Sequence, residues 1–168
     1  ILVLLLTAGW AFAFSSIYTR AEPRIAASKW IYENVPAPLN LHIILPGGSL
    51  DQEPLPFNSG VTVQPDVPYR TVFLARQAGL LTSVSFAHLA DLSASGPQTL
   101  TLVVATAPEP LGDEILATAT GTFDFSEGSG QSGDSFSLVF DPRLPIQEGQ
   151  TYYLVLQTSA GSLVISGS

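Results

Sequence analysis

Apolar and polar positions divide the chain into two kinds of text. Ile1 to Tyr18 reads ILVLLLTAGWAFAFSSIY, with no charge and only Thr7, Ser15 and Ser16 as polar interruptions. From Leu39 onward the apolar residues come in short runs that alternate with polar ones. Phe136, Leu138 and Phe140 oppose Ser135 and Ser137, and Val84 and Phe86 oppose Ser83 and Ser85. Thr118, Thr120 and Thr122 alternate with Ala117, Ala119 and Gly121. A period of two with one apolar face is what half-buried antiparallel strands require. Nine strands are predicted, at Leu39–Leu45, Gly60–Gln64, Tyr69–Ala75, Leu81–His88, Thr99–Ala107, Glu114–Phe125, Ser135–Phe140, Thr151–Gln157 and Ser162–Ser166. Asp51 to Pro56 reads as a loop, and Pro142, Pro145 and Gly149 as a break before Thr151. No apolar spacing of three and four interrupts this part. The expected fold class is therefore mainly β, an antiparallel β-sandwich of jelly-roll type over residues 39–168.

The opening run predicts a transmembrane helix over residues 1–18. About 18 uncharged apolar residues are near the minimum that crosses a hydrocarbon core. A helix also satisfies its own backbone groups in lipid. Trp10 and Tyr18 fit interfacial anchors. Two other readings compete. One is a secretory signal, with Ala11-Phe12-Ala13 as a cleavage pattern. The other is a helix buried in a core. The chain contains no methionine, and Ile1 opens inside the apolar run, so the sequence reads as a piece of a longer protein.

Residues 19–38, TRAEPRIAASKWIYENVPAP, predict a short juxtamembrane helix and a proline-containing linker. Thr19 and Glu22 have capping-box spacing, and Pro23 suits a first helical turn. Val35-Pro36-Ala37-Pro38 ends it, because a residue before proline is pushed out of the helical region. A stiff stalk between anchor and body explains the same pattern. Arg20, Arg24 and Trp30 would sit at headgroup level.

The run Tyr18-Thr19-Arg20, then Arg24-Ile25-Ala26-Ala27-Ser28-Lys29-Trp30-Ile31-Tyr32-Glu33-Asn34-Val35-Pro36, resembles a segment of large bacterial membrane glycosyltransferases of the family-39 type. These are related to dolichyl-phosphate-mannose protein mannosyltransferases. In them a similar segment leads from a late membrane span into an extracytoplasmic domain. The resemblance covers about 20 residues. It implies a non-catalytic C-terminal, accessory part of such an enzyme, or a stand-alone relative, with a polyprenyl-phosphate sugar as the implied donor. The family's catalytic acid lies in an early outer loop that has no counterpart here, so no catalytic residue carries over. The stretch Phe140-Asp141-Pro142, Pro145-Ile146 and Glu148–Leu156 is similar to the closing strands of bacterial surface jelly rolls.

Charge adds a constraint. Up to Pro38 there are three basic residues against two acids; from Leu39 onward, three arginines face twelve acids. An acidic body with scattered arginines does not neutralise a phosphate backbone, which excludes nucleic acid as a partner. Basic residues directly after an apolar run favour the cytoplasmic side by the positive-inside rule. The acidic, β-rich body favours the outside, and a cell-membrane location with the β-domain extracytoplasmic is expected. Cysteine is absent, which excludes disulfides, thiol catalysis and thiolate metal sites.

Candidate chemistry is sparse. Tyr69, Tyr152 and Tyr153 are candidate rings for sugar stacking, although adjacent Tyr152 and Tyr153 must point to opposite faces of a strand. Phe57 is a further aromatic candidate. Asp124, Glu127 and Asp134 bracket a Gly/Ser-rich loop that offers oxygen ligands to calcium; a hairpin tip has the same composition. No other cofactor is expected. The histidines, His42 and His88, fall in predicted strands, and no Gly-x-Ser-x-Gly elbow occurs. His88 near Asp91 suits local hydrogen bonding, and no carboxylate pair is singled out for glycosidase chemistry. Three functions follow: an accessory domain of a lipid-linked-sugar glycosyltransferase, an accessory subunit of a membrane complex, or a surface carbohydrate-binding module.

Overall fold

The computed structural model describes residues 2–3, 6–7, 9–12, 23–35, 37–55, 60–93, 96–124 and 133–166. The chain forms two compact units, Ile1–Val35 and Pro36–Ser168.

In the first unit the described residues between 2 and 12 are helical. Helix α1 follows at Pro23–Asn34. Pro23 opens it, where its missing N–H costs nothing. Its last turn is closed by the Val35 N–H donating to the Ile31 carbonyl at 2.8 Å. The proposed cap at Thr19 and Glu22, and the anchors Tyr18 and Arg20, lie outside the described residues. Among the described residues no helix is long and apolar enough to cross a membrane. Leu2, Val3, Leu6, Trp10 and Phe12 are all exposed, as are Ile25, Trp30 and Ile31 of α1. That exposure is the opposite of what a helix buried in a core requires.

The second unit is mainly β, and its two antiparallel sheets form a β-sandwich. Its strands are β1 (Leu39–Ile44), β2 (Leu50–Pro54), β3 (Val61–Val63), β4 (Tyr69–Leu74), β5 (Gly79–Asp91), β6 (Gln98–Ala105), β7 (Ile115–Phe123), β8 (Asp134–Ile146), β9 (Thr151–Thr158) and β10 (Leu163–Ile165). In the first sheet β8 lines one edge of β5. On the other edge β1 pairs with the first half of β5 and β10 with its last residues. Hairpin partner β2 flanks β1, and β3 flanks β10. The second sheet runs β4-β9-β6-β7. With the β1–β2 hairpin set aside, the strands order as 3-10-5-8 against 4-9-6-7. From β3 onward every connection changes sheet except the β6–β7 hairpin.

Alternation builds the core between the sheets. Phe136, Leu138 and Phe140 of β8 and Val84 and Phe86 of β5 face Leu100, Leu102 and Val104 of β6 and Leu154 and Leu156 of β9. Burying each such side chain contributes roughly 1.5–3 kcal/mol relative to leaving it exposed. All members of the cluster lie between Leu39 and Ile165, so this unit carries its own core. Gly121 supplies the room where the sheets approach: a Cβ there would stand 3.1 Å from both Leu138 and Phe136.

Two expectations need correction. Asp51–Pro56, read as a loop, contains most of β2, whose register on β1 pairs Leu41 with Glu53 and Ile43 with Asp51. Its acids and terminal proline suit an edge strand, which gains from charge and proline as guards against further pairing. The break expected at Pro142 and Pro145 does not end β8, which continues to Ile146. The strand absorbs its prolines as an edge strand can: a bulge shifts its register on β5 between Val139 and Leu144, and the Asp141–Pro142 bond is cis. The same place on β5 is irregular toward β1, where Thr82 is the extra residue and its hydroxyl donates to the His42 carbonyl at 3.0 Å.

Candidate binding face

The two outer faces of the sandwich differ in chemistry. On the first sheet the outward positions are hydroxyl-rich: Ser83 and Ser85 of β5, Ser135 and Ser137 of β8. His42 of β1 lies among them, its Nε2 2.8 Å from the Ser85 hydroxyl. Partial burial holds the His42 imidazole below its ordinary pKa. Ser85 stands directly opposite Asn40 and diagonal to His42, so this pair is a cross-strand hydrogen bond of the usual kind.

On the second sheet the outer face has two halves. One half is polar. Thr99 and Thr122 stand opposite each other with hydroxyls 3.0 Å apart, and Thr101 faces Thr120. The other half is apolar where alternation calls for polar residues. Val72 of β4 is paired with Tyr153 of β9, Tyr153 with Ala105 of β6, and Ala105 with Ile115 of β7. Val72, Leu74 and Ile115 are exposed, and Leu111 is 81% exposed on the neighbouring loop.

That loop, between β6 and β7, is held back on the sheet. Thr106 N–H donates to the Glu114 carbonyl at 3.0 Å, and Leu111 N–H to the Glu114 carboxylate at 2.9 Å. A groove of about 510 Å³ results, floored by Val103 and Val155 and walled by Pro110 and Leu111. Arg70 and Gln157 line its other side. Val155 points outward yet is only 4% exposed, because the loop and the Arg70 side chain opposite it cover it. Arg70 reaches Glu109 at 3.9 Å, a long pair between partly exposed groups that is worth little.

The residues singled out from sequence fall in different places. Tyr152 is a core residue, 4% exposed and stacked on Phe73 with ring centroids 5.4 Å apart. Its hydroxyl accepts the Gln147 N–H at 3.0 Å. It therefore cannot serve as a sugar platform, because both faces of its ring are enclosed by the sandwich. Tyr153 points outward and is half-buried in the apolar half of the second sheet. Tyr69 packs against the edge of the core, where burial raises its hydroxyl pKa and a hydrogen bond with the Thr71 side chain offsets part of that. The structure thus does not assemble the three tyrosines into one surface. No aromatic ring lines the groove.

For calcium, Glu127 lies outside the described residues. Asp124 is exposed at the end of β7 and Asp134 half-buried at the start of β8. Among the described residues no cluster of three histidine or acidic side chains could hold a metal. Phe57 and Tyr18 are likewise outside the described residues, while Trp10, Arg24 and Trp30 are exposed on the first unit.

A second carboxylate cluster sits at the β1–β2 edge. Glu53 is 14% exposed, its carboxylate 3.3 Å from Arg76 Nε. Burial raises its pKa, the Asp51 charge raises it further, and Arg76 opposes both.

Sequence reading missed Arg70, Val72, Leu74 and the β6–β7 loop as surface features. The available signal was the loss of alternation in Leu102-Val103-Val104-Ala105 and Tyr152-Tyr153-Leu154-Val155-Leu156, where both faces of a strand turn apolar at once.

No family model matches the chain. No curated protein matches it either. Among solved structures, the chain is similar to Eiger TNF from S. frugiperda at 14% identity and a TM-score of 0.32, over 78% of this chain and 85% of that chain. A likeness that distant identifies no family.

Proposed function

We propose that the chain is a non-catalytic, membrane-borne β-domain that serves a lipid-linked-sugar glycosyltransferase from the extracytoplasmic side. The opening segment seats in lipid, α1 lies near the headgroups, and the sandwich holds an acceptor or a partner close to membrane spans that perform the transfer. The observation that carries this reading is the surface of the first unit. Leu2, Val3, Leu6, Trp10 and Phe12 are each at least 67% exposed in one uncharged segment. Soluble domains rarely leave such contiguous apolar surface uncovered, and lipid or the helices of a membrane complex would cover it. The strand order 3-10-5-8 against 4-9-6-7, with sheet changes at nearly every connection, supports a jelly roll carrying an added N-terminal hairpin. The glycosyltransferase identity rests on the resemblance of Tyr18–Pro36.

The reading is tested by expressing the full chain in a bacterial host and fractionating the cells. Sedimentation with membranes, resistance to alkaline washing and release on deletion of residues 1–18 are expected. Recovery of the full chain in the high-speed supernatant without detergent would overturn it.

A further inference from the structure

The geometry points to the apolar half of the second sheet's outer face as a docking surface for a basic amphipathic segment of a partner protein. This surface lies wholly on the sandwich and does not depend on the membrane reading. Elsewhere the outer faces are mostly polar: Ser83 and Ser85 of β5 and Ser135 and Ser137 of β8 point outward, with Leu80 and Val139 as the exposed apolar exceptions, and Thr99, Thr101, Thr120 and Thr122 cover the far end of β6 and β7. An apolar row runs across four strands through Val72, Tyr153, Ala105 and Ile115, with exposed Leu74 beside it on β4. Exposed aliphatic side chains in one contiguous patch beside a groove are the usual mark of an interaction surface.

Charge selects the occupant. Glu109, 82% exposed, and exposed Asp113 stand on the loop that walls the groove. Exposed Glu148 stands in the β8–β9 turn, whose Gly149 N–H donates to the Ala75 carbonyl at 2.8 Å, next to Leu74. Arg70 is the one basic residue lining the groove, and it is already turned toward Glu109. An apolar stripe with an acidic rim complements a helix or strand that carries apolar side chains along one side and Lys or Arg beside them. The same rim opposes anionic lipid and a second copy of this acidic chain. No aromatic ring lines the groove, and the patch beside it offers a sugar only the half-buried Tyr153.

The test uses residues 36–168, which contain the complete core. A fluorescent Leu/Lys amphipathic peptide is titrated and followed by anisotropy, with a Leu/Glu peptide of the same pattern as its counterpart. Binding of the basic peptide alone is expected, weakened about tenfold by Leu74→Ser with Leu111→Ser, as loss of apolar anchors predicts. Glu109→Lys with Asp113→Lys should weaken it comparably and reduce its salt dependence. Val139→Ser, an exposed change on the other sheet, should leave it unchanged. These substitutions sit on the surface, and thermal melting checks that each variant is folded. Equal affinity for the acidic peptide, equal loss with Val139→Ser, or no binding of the basic peptide would overturn the assignment. So would a Leu74→Ser-sensitive self-association, or binding to vesicles or oligosaccharides in place of the peptide.

Discussion

The Thr158 hydroxyl lies 2.9 Å from the side-chain oxygen of Gln98, and both side chains are buried, 60 positions apart in sequence. Gln98 begins β6 and is fully enclosed; its amide nitrogen donates to Asp91 at the end of β5 at 2.5 Å. Asp91 in turn accepts the backbone N–H and the hydroxyl of Ser93, and the Ser93 hydroxyl accepts the Ser162 N–H at 3.0 Å. One amide therefore ties strand ends from both sheets. Gln98→Leu keeps a similar volume and removes the bonds to Asp91 and Thr158, while Thr158 keeps its bond to the Ala160 carbonyl at 2.8 Å and Asp91 those from Ser93. A loss of about 1–3 kcal/mol is expected in urea unfolding. Gln98→Glu should cost more, because it sets a second carboxylate against Asp91 in a buried place. A double-mutant cycle with Thr158→Val should give a coupling above about 0.5 kcal/mol; additive losses would mean the two side chains act separately.

Tyr152 and Tyr153 are neighbours in sequence with opposite duties. Tyr152→Phe removes the acceptor of the Gln147 N–H and should cost about 1 kcal/mol. Tyr152→Ala opens a cavity against Phe73 and should cost about 3–5 kcal/mol. Tyr153→Ala lies on the outer face and should cost much less. Chemical denaturation of the three variants measures this order. Equal losses at the two positions would contradict the facing described for β9.

Much of the fold was legible because period two is a direct image of a half-buried strand. Ser135 to Phe140 announced both β8 and its inward face. What misled was chemistry that edge strands tolerate. Pro142 and Pro145 looked like a break, yet an edge strand loses nothing by lacking a donor on its open side. Asp51 and Glu53 looked like a loop for the same reason. The candidate face was illegible because it depends on register. That Val72, Tyr153, Ala105 and Ile115 form one row across four strands follows only from pairing, and no single strand reveals it. Parity alone separated Tyr152 from Tyr153, but not which of them faced the core.

Gly133 precedes β8 with a φ of +79°, and a Cβ there would run into the Leu89 carbonyl oxygen. Both the backbone region and the contact disfavour any side chain. Gly133→Ala should destabilise the sandwich by about 1–3 kcal/mol in urea unfolding. Gly149, also at positive φ but with open space around it, should lose less on the same change, since only the backbone cost applies. Equal effects at the two glycines would show that the Leu89 contact relaxes freely.

Glu53 sets a pH dependence whose sign follows from its environment. Its folded-state pKa lies above the ordinary 4.5, first because burial disfavours the charge, then because of Asp51, with Arg76 opposing. A carboxyl group that holds its proton more tightly when folded favours the folded state at low pH. That contribution is complete below the ordinary value and is lost as pH rises through the raised one. Glu53→Gln removes the titration and keeps the shape. Urea midpoints of wild type and variant should therefore differ most in the wild type's favour at the acid end, and the difference should shrink, then level off, as pH rises toward neutrality. Other carboxylates shift both proteins alike, so the difference isolates Glu53. A difference that grew in the wild type's favour with rising pH would mean that the pair with Arg76, at 3.3 Å, outweighs burial.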